Sequence, residues 1–262
     1  MNIKPYYSEN GIKLYLSDTL ELLKSMPDNY VDMVFSDPPY NLSNNGITCH
    51  SGKMVSVNKG DWDKSKGIMD DFNFHNQWIT ECKRILKPNG TLWISGTYHS
   101  IYQCGFSLQL NDFKILNEIV WFKPNASPNI SCRYFTASHE TIIWAKKDKK
   151  SKHIFNYEKM KFGEWHKKDI IKNKDKQMRS VWSIPTPPKR EKEFGKHPTQ
   201  KPEELLKRII LSSTNENDLI LDPFTGSSTT GVISKKYNRE FIGIDYNKDF
   251  LELSKKRIKQ IE

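Results

Sequence analysis

Four consecutive residues, Asp37-Pro38-Pro39-Tyr40, bring together groups that suit the binding of a flat amine. They follow the apolar run Val31–Phe35, and an acid at the carboxyl end of a buried strand lies in the crevice where open α/β sheets bind ligands. The two prolines hold the backbone extended and leave carbonyl oxygens as fixed acceptors. A carboxylate, a carbonyl and an aromatic ring could therefore grip a planar group through its exocyclic NH2. A rigid turn after a strand is the simpler alternative.

A second candidate site begins where the apolar run Leu219–Leu221 meets the turn DPFTGSSTTG at 222–231. Small residues there let a ligand approach the backbone, and N–H groups at the start of the following helix point outward. Asp245 lies nineteen residues after Gly226, at the end of the apolar run Phe241–Ile244, where an acid can bind ribose hydroxyls. Neither a G-x-G-x-x-G pattern nor a Walker lysine is present, so we expect a nucleoside-type cofactor other than NAD or ATP. Together the two sites predict transfer of a small group to a nucleobase nitrogen.

The two motifs resemble those of the β-class amino-group DNA methyltransferases, which use S-adenosylmethionine. DPPY at 37–40 is similar to their catalytic motif, DPFTGSSTT at 222–230 is similar to their cofactor motif, and the order along the chain is that of the β class. The resemblance implies an α/β, permuted Rossmann-like class I methyltransferase fold with a mostly parallel seven-stranded sheet, helices on both faces and a basic target-recognition insertion. It also implies that the strands before Asp37 and before Asp222 are neighbours in the sheet.

The resemblance assigns the site residues by position, and Asp37, Pro38, Pro39 and Tyr40 form the catalytic set. The cofactor-binding set is Asp18, Asp37, Thr199, Lys201, Asp222, Pro223, Phe224, Gly226, Ser227, Ser228, Thr229, Thr230 and Asp245. In the family segment that HPTQKP at 197–202 resembles, the threonine and the lysine lie near the methionine end of the cofactor. Simpler alternatives exist, because Asp18 and Thr199 could cap helices and Phe224 could belong to the core. Ser228 stands where the family usually has glycine, which predicts restricted backbone freedom and weaker cofactor binding.

The chemistry that the resemblance implies is methylation of an adenine N6 amine without a metal ion. Asp37 and the carbonyl of Pro38 accept the hydrogens of the amine, and Tyr40 stacks on a base that is flipped out of a duplex or presented single-stranded. The family's cytosine enzymes usually carry serine in place of Asp37, which favours adenine. N4-cytosine methylation, an RNA substrate and a non-catalytic nucleic-acid-binding protein stay open. The stretches 55–65, 92–102 and 128–147 resemble the second, single-strand-accepting adenine methyltransferases of GATC restriction–modification systems.

The positive charge of the chain is concentrated in one segment. The 262 residues include 41 Lys and Arg against 31 Asp and Glu, a net charge of +10. Residues 145–196 alone hold fifteen lysines and two arginines against seven acids, and aromatic residues are mixed with these lysines, as in nucleic-acid-binding surfaces. A solvated loop is the alternative. We predict DNA contacts for Lys146, Lys147, Lys149, Lys150, Lys167 and Lys168.

Apolar runs and helical patterns alternate along the chain, which favours βαβ units within one main domain. We divide it into a catalytic half at 1–144 with a mobile loop at 41–74, a basic target-recognition region at 145–196 and a cofactor-binding half at 197–262. The sequence has no apolar window long enough for a membrane span, no secretory signal and no closely spaced cysteine pair, so we expect a cytoplasmic protein. The expected partners are DNA, a second copy of the chain and a restriction endonuclease.

Overall fold

Strands and helices alternate along the chain, as predicted. The computed structural model describes residues 3–40, 47–50, 53–56, 63–129, 131–165, 169, 173, 175–195 and 197–261. The strands are β1 (Tyr7–Glu9), β2 (Ile12–Leu16), β3 (Val31–Ser36), β4 (Ile47–His50), β5 (Lys53–Ser56), β6 (Leu86–Gly96), β7 (Lys114–Phe122), β8 (His139–Lys146), β9 (Val181–Ser183), β10 (Leu219–Asp222) and β11 (Glu240–Asp245). The helices are α1 (Thr19–Ser25), α2 (Ile68–Ile85), α3 (Ile101–Leu110), α4 (Tyr157–Phe162), α5 (Glu203–Ser213), α6 (Thr229–Lys236) and α7 (Lys248–Lys259), with a 3-10 turn at Lys189–Lys192.

In the described residues, nine strands form one sheet in the order β1-β2-β11-β10-β3-β6-β8-β7-β9, and β4 and β5 form a separate hairpin. β8 runs antiparallel to both of its neighbours and β1 runs antiparallel to β2, while the other pairs of the sheet are parallel. The mostly parallel α/β fold is confirmed, but the predicted count of seven strands was wrong. The edge strands β1 and β9 have 3 residues each, which is too few to show a period in the sequence.

β3 and β10 are neighbours at the centre of the sheet. Met33 pairs with Ile220 in parallel register, although one strand lies in the first quarter of the chain and the other in the last quarter. The prediction that the strands before Asp37 and Asp222 are adjacent is therefore confirmed. This adjacency brings the two halves of the predicted site to the same place.

Apolar residues on the two faces of the sheet pack against two sets of helices. Along β3, Val34 belongs to the core formed with α1, α2 and α3, while Met33 and Phe35 belong to the core formed with α5, α6 and α7. This division follows from the strand geometry, since successive side chains point to opposite faces. The predicted helices on both faces are confirmed. Within the part of the chain that the structure describes, no helix combines the length and apolar character needed to cross a bilayer.

Part of the predicted loop at 41–74 has regular structure. β4 and β5 pair as an antiparallel hairpin and α2 begins at Ile68, so the loop prediction was wrong for these residues. Ile68 and Met69 in the first turn of α2 are 75% and 64% exposed. These apolar residues do not continue the buried face of α2, so the helical period of apolar residues is not visible in the sequence at this turn. The rest of the range from 41 to 62 lies outside the described residues.

One edge of the sheet collects the residues that the sequence predicts to do chemistry. Because β2, β3, β10 and β11 are parallel, their carboxyl ends bring together Asp18, Asp37, the turn at 222–231 and Asp245. β8 runs the other way, so its beginning, with Glu140, reaches this same edge. We call it the carboxyl edge. Ligands of open parallel sheets bind at this position.

Candidate active site

The carboxylate of Asp37 is held between two side chains. The Tyr40 hydroxyl donates a hydrogen bond to Oδ1 at 2.5 Å, and the Lys201 ammonium donates to Oδ2 at 2.6 Å. All three groups lie largely inside the protein, with the Lys201 side chain 6% exposed and that of Asp37 14% exposed. The fold thus joins the DPPY motif to the HPTQKP segment through a buried ion pair.

Glu140 completes this cluster from the beginning of β8. Its Oε1 atom accepts from Lys123 at 2.5 Å, and its Oε2 atom lies 3.5 Å from Lys201 Nζ and 3.1 Å from the Tyr40 hydroxyl. Ser95 at the end of β6 donates to the same oxygen at 3.3 Å. The sequence analysis missed Glu140, Lys123 and Ser95. The available signal was weak: an acid directly before the apolar part of β8.

The two buried acids of this cluster have their pKa values shifted in opposite directions. Burial raises the pKa of Asp37, and Lys201 opposes that rise only in part. Burial also acts to raise the pKa of Glu140, but Lys201 and Lys123 outweigh it and lower that pKa to about 2. Acids whose environments separate their pKa values can take different roles. Asp37 is suited to accept a proton, while Glu140 remains an anion.

A cavity of about 220 Å³ opens beside Asp37 at the carboxyl edge. Every predicted cofactor-binding residue except Ser228 lines it. Its lining includes Asp18, Asp37, Thr199, Lys201, Asp222, Pro223, Phe224, Gly226, Ser227, Thr229, Thr230 and Asp245. His197, Gln200, Tyr246 and Phe250 also line it, and the sequence analysis did not select them. We call this space the cofactor cavity.

Asp245 faces the cofactor cavity from the end of β11. Its Oδ2 atom accepts from the backbone N–H of Gly226 at 3.1 Å, and its Oδ1 atom accepts from that of Asn247 at 2.8 Å. Burial raises its pKa to about 6. Each carboxylate oxygen keeps a second lone pair, so Asp245 can still accept hydrogen bonds from a ligand.

The turn after β10 is braced from inside by Asp222. Its Oδ1 atom accepts from the backbone N–H of Phe224 at 3.1 Å, and its Oδ2 atom accepts from the Thr230 hydroxyl at 2.6 Å. Burial raises the pKa of this carboxyl to about 7. Gly226 in the same turn has φ +50°, and a Cβ atom there would lie 2.8 Å from His197 Nε2. The close approach of His197 therefore requires glycine at this position.

Ser228 has the backbone conformation that glycine would adopt more easily. It is fully buried and precedes α6 with φ 55° and ψ 44°, in the left-handed region. Its hydroxyl lies 2.9 Å from that of Thr225 as a hydrogen-bond partner. A serine in this conformation strains the backbone, and the hydrogen bond with Thr225 offsets part of that cost. A weaker affinity for cofactor stays a prediction.

The structure decides the simpler alternatives for Asp18, Thr199 and Phe224. Asp18 accepts from the backbone N–H of Glu21 at 3.0 Å and so caps α1, but it lines the cofactor cavity as well. Thr199 is not a helix cap, because the residue that precedes α5 is Pro202. Phe224 packs edge-on against a core tryptophan, with ring centroids 5.6 Å apart, and it also lines the cavity.

Lys201 has partners that the sequence did not predict. Its ammonium binds Asp37 and Glu140 and lies 3.5 Å from the carbonyl oxygen of Thr199. These contacts use the three donors of an ammonium group. Lys201 therefore serves as the counter-ion of Asp37 in this structure, and a contact with the carboxylate of a cofactor stays a prediction.

A second cavity, of about 540 Å³, lies on the other side of Lys201. Its lining includes the buried Tyr40 and Glu140, the half-buried Lys123 and Lys192, and the exposed Tyr134. The two cavities share His197, Thr199, Gln200 and Lys201. We call this space the substrate cavity. The ring of Tyr40 lines it, but the Tyr40 hydroxyl is fixed by the acids, so stacking on a base stays a prediction.

The lysines predicted to bind DNA lie away from both cavities. Lys146 ends β8 at the edge opposite Asp37, because β8 is antiparallel to β6. Its ammonium donates to the carbonyl of Ser151 at 2.8 Å, and that of Lys147 donates to Asn29 Oδ1 at 2.7 Å. Lys149 and Lys150 are exposed beyond them, while Lys167 and Lys168 lie outside the described residues. Their contact with DNA stays a prediction.

A mostly parallel α/β sheet with two adjacent cavities at its carboxyl edge, and a buried carboxylate bonded to a lysine that lines both, is the arrangement of a group-transfer enzyme. The sequence confirms this class. Residues 31–256 match the N6_N4_Mtase family, described as DNA methylase. The chain therefore belongs to this family of DNA methylases.

Individual relatives cover nearly the whole chain. The type II methyltransferase M2.DpnII of Streptococcus pneumoniae is 52% identical over 256 residues, which are 97% of this chain and 92% of that protein. The type II methyltransferase M2.MboI of Moraxella bovis is 49% identical over 263 residues, covering 100% and 93%. Among solved structures, the complex of M1.HpyAVI with SAM is similar with a TM-score of 0.68 and 30% identity, covering 94% of this chain and 98% of that one.

Proposed function

We propose that this protein transfers a methyl group from S-adenosylmethionine to N6 of adenine in DNA. The observation that carries the proposal is the position of Asp37, a buried acid with a raised pKa that lines the cofactor cavity and is hydrogen-bonded to Tyr40 and Lys201, which line the substrate cavity. Relatives that are 49–52% identical over nearly the whole chain are type II methyltransferases. A DNA methylase with this geometry needs an acceptor of protons beside the reacting amine, and Asp37 meets that need.

The residues of the cofactor cavity fit S-adenosylmethionine. Asp245 offers acceptors for two ribose hydroxyls, and Phe224 offers an aromatic face or edge to the adenine ring. The Gln200 side chain is buried, and its carbonyl oxygen has no hydrogen-bond partner among the described residues. Because it lines the cavity, the ammonium group of the amino-acid part can satisfy it. The bound cofactor supplies an electrophilic methyl group.

The protein's own groups orient the acceptor base. Asp37 and the carbonyl oxygen of Pro38 accept the two hydrogens of the N6 amine, and Asp37 then holds the proton that the methylated amine loses. Glu140 keeps Lys201 neutralised when the carboxylate of Asp37 turns to the amine. Alignment of this kind supplies much of the catalysis, because the substrate groups react only when they are held in the right approach.

N4-cytosine methylation is the alternative product. The substrate cavity admits either exocyclic amine, but Asp37 in the DPPY motif favours adenine, as the family resemblance implies. We further propose GATC as the site and activity on single-stranded as well as double-stranded DNA, on the similarity to M2.DpnII and M2.MboI. RNA and a non-catalytic role receive no support from the observed site.

Mapping of modified bases tests the proposal directly. The chain is expressed in a host free of DNA methylation, beside an Asp37→Ala variant that should still bind cofactor by calorimetry. The wild-type protein should leave N6-methyladenine at GATC, and the variant should leave none. N4-methylcytosine, an unmodified genome or near-normal methylation by the variant would each contradict the proposal in a distinguishable way.

The partners and compartment are also proposed. A homodimer is supported by a group of exposed apolar side chains on α2 and α3, namely Ile68, Met69, Tyr102, Phe106 and Leu110. Sedimentation of the wild-type chain and of a Met69→Lys variant tests it, since the charge should shift a dimer to monomer. A restriction endonuclease that cuts the same site is the functional partner we propose. The DNA substrate supports the cytoplasm as the compartment.

A further inference from the structure

A short loop at the mouth of the substrate cavity presents two neighbouring aromatic rings in different directions. Tyr134 lines the cavity, while Phe135 is 99% exposed. A phenylalanine in water contributes nothing to the core, so its place at this rim requires another explanation. The loop follows β7 and precedes β8, which carry Lys123 and Glu140 of the active-site cluster.

The loop is held in a defined shape by Asn129. Its side-chain amide donates to the carbonyl of Tyr134 at 2.6 Å, and its backbone N–H donates to the Thr136 hydroxyl at 3.2 Å. The side-chain oxygen Oδ1 of Asn129 accepts from the backbone N–H of Ser131 at 3.0 Å. One residue thereby ties both ends of the loop together. Phe135 is therefore presented at a fixed place beside the cavity.

We propose that Phe135 is a wedge that enters the base stack of duplex DNA where the target base leaves it. The inference rests on the proposed function, because a base can reach Asp37 only after it has left the duplex. An extruded base leaves a gap in the stack, and an apolar side chain that fills the gap lowers the cost of extrusion. Phe135 follows directly after Tyr134, which lines the cavity that would receive the base.

The charge around the rim favours DNA over a protein partner. Lys192 lines the same cavity, and Arg133 adjoins the two rings in the loop. Cations beside an exposed aromatic ring suit a phosphate backbone with stacked bases. The ligand that the wedge contacts is therefore a pair of neighbouring nucleobases in a duplex.

Comparison of duplex and single-stranded substrates tests the wedge, since a single strand has no paired stack to open. Methylation is measured on one oligonucleotide carrying the mapped site, alone and annealed to its complement. Phe135→Ala should lower kcat/KM on the duplex about tenfold, the size of a lost base–aromatic stack, and leave the single strand within about twofold. Phe135→Trp should restore the duplex rate. Leu16→Ala, which shortens an exposed apolar side chain at the end of β2 that lines neither cavity, should keep the wild-type ratio of the two rates.

A second readout follows extrusion without methyl transfer. A duplex with 2-aminopurine at the target position should brighten when the wild-type protein binds it, and less so with Phe135→Ala. Equal losses on both substrates would overturn the wedge in favour of a general DNA contact. Unchanged rates would overturn it and leave the ring for a protein partner. A wild-type protein that methylates neither DNA would contradict the proposed function itself. In that case, a brighter 2-aminopurine signal with the wild-type protein than with Phe135→Ala would still support the wedge.

Discussion

Glu140 balances the charges of the active site. Two lysines, Lys123 and Lys201, contact its largely buried side chain. Without this acid, Asp37 would be the one carboxylate beside two buried cations in the described cluster. An acid used as a proton acceptor works poorly when its pKa is pushed too low. Glu140 therefore acts as a positioning residue through Lys201 and sets the basicity of Asp37.

Glu140→Gln should lower kcat and move the acidic limb of the pH–rate profile to lower pH. The reason is electrostatic: the negative charge of Glu140 raises the pKa of Asp37, so its loss lets that pKa fall. We expect kcat to fall with cofactor affinity unchanged, because an acid with a lower pKa is a weaker proton acceptor. Glu118→Gln on the exposed part of β7 is the control. An unmoved profile would show that Glu140 has only a structural role.

The carboxyl of Asp245 predicts a pH dependence of cofactor binding. Its pKa is raised to about 6 in the ligand-free protein, and only the ionised form accepts hydrogen bonds at both oxygens. Affinity should thus be constant above pH 7 and fall towards pH 5. The same raised pKa means that this group favours the folded ligand-free state at low pH, and that this contribution is lost as pH rises through about 6.

Calorimetry on Asp245→Asn isolates this effect. The variant should bind cofactor more weakly at pH 7.5, and its affinity should lose the part of the pH dependence that belongs to Asp245. Asp222, whose pKa of about 7 is raised in part by the charge of Asp245, remains in both proteins and should titrate at a lower pH in the variant. A variant with wild-type affinity would argue against the ribose contact.

At the scale of elements, the turn that opens α6 stores strain at Ser228. The left-handed conformation costs a non-glycine residue about 1–2 kcal/mol. Ser228→Ala keeps that strain and removes the partner of the Thr225 hydroxyl, whereas Ser228→Gly removes the partner but relieves the strain. In urea denaturation the alanine variant should be less stable than the glycine variant by about 1–2 kcal/mol. Equal stabilities would show that the turn is not strained.

The sequence predicts the position of an element where its apolar period repeats over several residues. It does not predict which other elements pack beside it. Helical periodicity in the sequence at Glu203–Ser213, Thr229–Lys236 and Lys248–Ile261 predicts α5, α6 and α7, and apolar runs predict the central strands, because the buried faces of these elements repeat over several residues. α4, β9 and the first turn of α2 escaped notice because they are short or carry exposed apolar residues. β9 lies in the segment 145–196 but pairs with β7 in the main sheet, so the proposed target-recognition region also contributes to the catalytic domain.

The active site shows the same division. Residues that belong to contiguous motifs, such as Gly226 and Asp245, were found because their spacing carries the chemistry. Glu140, Lys123 and Ser95 were missed because their meeting depends on the antiparallel placement of β8 between β6 and β7. Spacing along one sequence does not report that placement. The partners of Lys201 were missed for the same reason.

For the whole molecule, the lysines of the basic segment divide between two edges of the sheet. Lys189 and Lys192 lie in the 3-10 turn, and Lys192 lines the substrate cavity. Lys149 and Lys150 follow the far end of β8. About six strand residues at roughly 3.3 Å each separate the two edges, which places them about 20 Å apart. DNA that enters the substrate cavity should meet the first pair.

Neutralising the first pair should flatten the salt dependence of DNA binding. Lys189→Gln with Lys192→Gln should lower the slope of log K against log salt by about 2, since each phosphate contact contributes about 0.9. Lys149→Gln with Lys150→Gln tests the DNA contacts predicted from the sequence. An equal fall of the slope in this variant would show that the DNA also contacts the far edge of the sheet. Lys255→Gln with Lys256→Gln on α7 is the control. An unaltered slope in the first variant would exclude DNA from the 3-10 turn.

The order of the strands has a consequence for folding during synthesis on the ribosome. β2 and β3 emerge early, but the two places between them in the sheet belong to β10 and β11, which are synthesised last. A nascent chain thus carries two open strand edges, whose unpaired N–H and C=O groups invite wrong pairing. Contacts between such distant segments also form slowly. The sheet can therefore be completed, and the protein can become active, only after translation has passed residue 245. A chain that stops earlier lacks β11, which belongs in the middle of the sheet.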